Sequence, residues 1–149
     1  MDLSDAQREF LEKNHSAAMI SLRRDGTAHA VRVGVALVDG KVWVSGLPSR
    51  LRTRLLRRDP RCTLFVFETG FNYLTLEGTI SILEGPDVPE KSTRLFQVMQ
   101  VGMQPAPAPG NLMWYGKELT AEQFRQAMVE EQRLIYELQV ERAYGSSAR

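Results

Sequence analysis

The densest chemistry in this chain lies in one short run. Ser49-Arg50-Leu51-Arg52-Thr53-Arg54-Leu55-Leu56-Arg57-Arg58-Asp59-Pro60-Arg61 carries six arginines and one acid. Ser49 is a good helix-capping residue and Pro60 a helix stop, so a helix is expected over 49–58. A helix start exposes unpaired N–H groups and a partial positive charge, which disfavours cations there. Arg50 and Arg52 nonetheless fall in the expected first turn. A phosphate on the first-turn N–H groups, flanked by the two guanidiniums, would resolve that conflict, with Thr53 adding a hydroxyl hydrogen bond. At about 100° per residue, Arg50, Arg54 and Arg57 share one side of the helix. They read either as a basic groove for a longer anion or as a solvated face.

Little else in the sequence offers chemistry. His29 sits in an expected strand and reads as a proton donor or as a structural histidine. Cys62 is the one cysteine, so no internal disulfide forms, and a small buried apolar role suits it better than a nucleophilic one. With two histidines and no cluster at ligand spacing, no metal site is expected. No Ser/His/Asp or paired-carboxylate arrangement stands out. A net charge of +1 argues against nucleic-acid binding over the whole surface. Residues 1–13 lack the basic and apolar regions of a signal peptide, and no apolar run reaches the ~20 residues of a membrane span. A cytoplasmic location is therefore expected.

The elements that must position the basic run read as mostly strands. Ser4 and Gln7 form a capping box for a helix over 4–14. Strands are expected over 17–22, around Val31, Val33, Val35 and Leu37, and over 41–46, with Asp25-Gly26 and Asp39-Gly40 as tight hairpin turns. Further strands are expected over 63–67, 73–83 and 133–140, with Gly78 marking a bulge. Residues 87–104 read as helical, 105–110 as extended loop, and 120–131 as a second capped helix. The loop over 105–116, with Met113, Trp114 and Tyr115, reads equally as a groove wall or as packing. Residues 145–149 read as disordered. The expected architecture is one domain over 1–149, mainly β (α+β), with six strands in a small antiparallel barrel and short flanking helices, because closure removes exposed strand edges.

The run Pro48–Arg61 resembles the cofactor segment of the pyridoxamine-phosphate-oxidase-like split-barrel superfamily, and more narrowly the deazaflavin-dependent oxidoreductases of the B type found in actinobacteria. Arg52 stands at the usual lysine position, and Leu55 where Asn is common. Ile20–Gly26, Thr75-Leu76-Glu77-Gly78-Thr79 and Ala143-Tyr144-Gly145 extend the resemblance over nearly the whole chain, while Ala28 replaces a common proline. The resemblance implies a six-stranded antiparallel split β-barrel that forms a homodimer, with a cofactor in each of two interface grooves. Its phosphate would lie at Arg50, Arg52 and Thr53. Arg32, Val33 and Gly34 would flank the ring, Ser45 and Gly46 would hydrogen-bond near it, and Phe71 and Tyr73 fall where the family often has aromatics. Arg54 and Arg57 would suit the oligoglutamate tail of the deazaflavin F420, which favours F420 over FMN. The implied activity is hydride transfer to a planar conjugated acceptor such as a quinone, a tetrapyrrole or an unsaturated lactone. The alternatives are an FMN-dependent oxidase or reductase of the same fold, and a non-catalytic cofactor- or haem-binding protein.

Overall fold

In the computed structural model, which describes residues 1–146, nine strands and four α-helices follow one another along the chain. Helix α1 (Asp5–Lys13) starts at the Ser4/Gln7 capping box, as the sequence requires. Strands β1 (Ser16–Leu22), β2 (Ala28–Gly34), β3 (Ala36–Val38) and β4 (Lys41–Gly46) lead into helix α2 (Leu51–Arg58). Strands β5 (Arg61–Phe67) and β6 (Tyr73–Leu83) follow, then helix α3 (Val88–Met99) and a short hairpin of β7 (Leu112–Trp114) and β8 (Lys117–Leu119). Helix α4 (Ala121–Glu130), capped by Thr120 and Gln123, and the long β9 (Leu134–Tyr144) complete the chain.

The main sheet is antiparallel and has seven strands, in the order β2-β1-β5-β6-β9-β4-β3, where six were expected. The extra strand arises because the expected second strand is broken at Val35. The Val35 N–H donates to the His15 carbonyl at 3.0 Å, and its own carbonyl lies 2.9 Å from His15 Nδ1. The chain thus leaves β1 at Gly34 and joins β4 from Ala36. Since β2 and β3 form opposite edges of the sheet yet only Val35 separates them, the sheet must curl back on itself. Gly78 supplies the bend: the β6–β9 register shifts between Glu77 and Gly78, and a Cβ there would stand 1.9 Å from the Gln139 carbonyl oxygen.

Three apolar clusters hold these pieces together. Leu11, Met19, Val44, Leu64, Leu76 and Tyr136 belong to the main cluster, between α1 and the sheet. On the other face of β3 and β4, Trp43, Val38 and Ile135 pack with Val88 and Leu95 of α3. Leu112, Phe124 and Met128 join β7 to α4. The hairpin β7–β8 falls where a loop was expected. Its turn places Tyr115 at φ +49° and Gly116 at φ +78°, and a tyrosine gives no sequence signal for that left-handed conformation. Gly145 and Ser146, expected to be disordered, are tied to β6: the Tyr73 N–H donates to Ser146 Oγ at 3.0 Å. Ser147, Ala148 and Arg149 lie outside the described residues, so the rest of that expectation does too.

Candidate functional site

Helix α2 begins one residue later than a Ser49 cap predicts. Arg50 is the N-cap, its side chain makes no capping hydrogen bond, and Ser49 lies outside the helix. No acid stands in the first turn. Arg52 is therefore the arginine of that turn, and Arg50 precedes it.

Arg52 is half-buried and has no ion-pair partner among the described residues. Its guanidinium carbon lies 5.7 Å from the centre of the Tyr136 ring, and its Nε is buried without a hydrogen-bond partner among those residues. Burial pushes its pKa below the usual arginine range. Tyr136 opposes that shift, and the charges of Arg50 and Arg133 add to it. Ser45 Oγ, on β4, is likewise buried and unpartnered. Both residues line one cavity of about 270 Å³, together with Arg32, Val33, Gly34, Phe96, Met99, Trp114 and Arg133. Three arginines line it and, among the described residues, no carboxylate does. A pocket of that composition, with two orphaned polar groups in it, suits an anionic ligand with a flat apolar part.

The sequence-derived residues divide accordingly. Arg32, Val33, Gly34, Ser45 and Arg52 come together in this cavity. Gly46 and Thr53 lie behind it and serve its frame. Thr53 Oγ1 donates to the Leu47 carbonyl at 2.6 Å and is hydrogen-bonded to the Tyr136 hydroxyl, and Gly46 leaves room for the Tyr136 ring. The cavity lining does not include Arg50, Arg54 or Arg57. Arg54 Nη1 donates to the Ser49 carbonyl at 3.1 Å, and Arg57 pairs with Glu84 at 2.6 Å. His29 faces Ser21 across the β1–β2 ladder, away from the lining, and His29 Nδ1 and Ser21 Oγ are both buried without partners among the described residues. Phe71 is fully exposed on the β5–β6 turn. Tyr73 stacks on Phe65 at 5.2 Å between ring centres. Arg32 lies over Phe67 and donates to Ser16 Oγ at 3.3 Å.

Sequence reasoning missed Phe96, Met99 and Arg133. Phe96 and Met99 come from the apolar stripe of α3, whose spacing signals only a packed helix face. Trp114, left open between groove and packing, does both: it lines the cavity and meets Phe96 and Phe124 edge-on.

The curled sheet closely resembles solved structures. A conserved hypothetical protein of Mycobacterium tuberculosis superposes with a TM-score of 0.71 at 19% identity, over 96% of this chain and 84% of that one. An F420 reductase gives 0.62 at 14% identity, over 92% and 94%. A Listeria innocua protein provisionally named a pyridoxamine 5'-phosphate oxidase gives 0.61 at 15%, over 93% and 94%. At these identities the likeness shows the fold alone, a mainly β α+β fold built on a curled antiparallel sheet. No curated protein matches the sequence. The sequence profile of the pyridoxamine 5'-phosphate oxidase family matches residues 3–146, and the chain belongs to that family.

Proposed function

We propose that the chain is an oxidoreductase that binds a phosphate-bearing flavin-type cofactor, F420 in preference to FMN, and reduces a planar conjugated acceptor. The observation that carries this reading is a cavity lined by three arginines, two of whose lining residues, Arg52 and Ser45, each carry a buried polar atom without a partner among the described residues. A phosphate fits them: it offers oxygens to both groups and neutralises a half-buried guanidinium that the fold leaves unpaired. When bound, the cofactor supplies hydride transfer. This chain's own residues do the rest. Arg52 and Ser45 would fix the phosphate end. Val33 and Gly34 would leave a smooth strand surface for the ring, and Phe96, Met99 and Trp114 would exclude water from the opposite side.

The F420 preference rests on the basic rim of α2, where Arg50 and Arg54 are exposed, and on the likeness in fold to an F420 reductase. One observation favours FMN, the second reading. Glu84 already engages Arg57, which removes that cation from a tail-binding groove. Titrating the purified protein with F420, FMN and haem in parallel tests the proposal. Binding of F420 that is tighter than that of FMN and weakens with added salt is expected. Tight FMN binding without F420 binding would establish the second reading, and binding of haem alone would overturn both.

A further inference from the structure

Arg133, just before β9, lines the same cavity as Arg52. Its side chain is 11% exposed. Glu131 holds it: Oε1 accepts from Arg133 Nε at 3.0 Å and Nη2 at 2.8 Å. The other oxygen of Glu131 accepts from Trp114 Nε1 at 3.1 Å. The guanidinium carbon of Arg133 lies 5.2 Å from the centre of the Trp114 ring. Ring and carboxylate together set the angle of one largely buried cation. Glu131 occupies the Nε/Nη2 edge, while Nη1 has no hydrogen-bond partner among the described residues. Arg133 therefore keeps an unused end in a cavity that also holds the unpaired Nε of Arg52. The charge of Arg133 acts unfavourably on Arg52 although Glu131 pairs with Arg133, and an anion between the two would relieve that repulsion.

We propose that Arg133 is the second arm of an anion clamp, with Arg52 and Arg133 gripping one phosphate or diphosphate group from two sides while Trp114 and Glu131 hold Arg133 in place. This rests on the reading of the cavity as a phosphate pocket but not on the identity of the group attached to the phosphate. A ligand that carries a phosphate is selected over its counterpart without one, and Arg133 becomes a specificity-determining residue that the basic run of α2 does not reveal.

The test is calorimetric titration of the whole protein with inorganic pyrophosphate, with FMN and F420 titrated alongside. The unmodified protein should bind pyrophosphate, and Arg133→Ala should weaken binding about tenfold, the loss of one charge-assisted hydrogen bond. Arg133→Lys, which keeps the charge, should lose less. Glu131→Gln, which removes one of the two acceptor oxygens that hold Arg133 and Trp114 together, should weaken binding, but less than Arg133→Ala does. Equal affinity in Arg133→Ala and the unmodified protein overturns the clamp, as does failure of the unmodified protein to bind pyrophosphate. Should circular dichroism show that Arg133→Ala is unfolded, Arg133→Gln, which removes the charge and keeps a long polar side chain, decides: binding equal to that of the unmodified protein overturns the proposal. Pyrophosphate binding that depends on Arg133, without any binding of FMN or F420, supports the clamp and removes the cofactor reading.

Discussion

A half-buried guanidinium with no carboxylate beside it is costly to fold, because its desolvation is not repaid by a partner. Arg52 is held in that state by the start of α2 below it and the Tyr136 ring beside it. The residue types made this legible in the sequence: arginines at a helix start conflict with the helix dipole wherever their side chains point. The role of Arg133 was not legible. It lies 81 positions after Arg52 in the sequence, and its orientation comes from Trp114 and Glu131, which only the folded chain brings to it. Cys62 shows the opposite case, a residue whose bland reading holds. It is buried in the main cluster, and that burial pushes its thiol up to about 12, slightly opposed by a backbone hydrogen bond with Ile20. Its raised pKa means that its contribution to stability is complete below about pH 9 and is lost as the pH rises through about 12. At pH 8 a thiol-specific reagent should label the folded protein negligibly and should label it fully in denaturant; rapid labelling of the native state would show that the β1–β5 region opens.

At the scale of elements, the frame of the pocket depends on one close approach. A Cβ on Gly46 would stand 2.3 Å from Cζ of the Tyr136 ring. That ring cannot retreat, since it is fully buried and its hydroxyl is hydrogen-bonded to Thr53 of α2. Gly46→Ala is therefore expected to destabilise the fold by about 1–3 kcal/mol, the cost of overpacking a close-packed core. Urea denaturation checks this, and an unchanged midpoint would show that β4 and β9 are less tightly joined than the geometry requires. Elements governed by local rules were readable in advance: both capping boxes, the two Asp-Gly turns and the Gly78 bulge. Those governed by distant partners were not. The break at Val35 depends on His15, twenty residues away, and the late start of α2 leaves Ser49 outside the helix it was expected to cap.

For the whole molecule, the cavity opens beside an aromatic surface. Phe65, which is 37% exposed, stacks with Phe67 and Tyr73, and Arg32 of the cavity lies over Phe67. Phe71 stands fully exposed at the neighbouring turn. An exposed aromatic patch adjoining a ligand pocket suits burial against a second copy, which would also cover the cavity mouth. Light scattering at micromolar concentration should therefore give about twice the 16.9 kDa chain mass; a monomer that still binds cofactor would contradict this. The family was legible from the sequence because the Arg-Asp-Pro-Arg segment and the strand pattern are local. The pocket's apolar wall was not, because Phe96, Met99 and Trp114 meet it only once α3 and the β7–β8 hairpin have packed.

Arg52 and Ser45 are proposed to hold a phosphate. The most direct measurement compares the affinities of FMN and riboflavin, which differ by that phosphate alone, in the unmodified protein and in Arg52→Ala. FMN should bind the unmodified protein at least about tenfold more tightly than riboflavin, and Arg52→Ala should remove most of that difference while riboflavin binding stays the same. An FMN preference that survives intact in a folded Arg52→Ala protein, or no preference in the unmodified one, would contradict it.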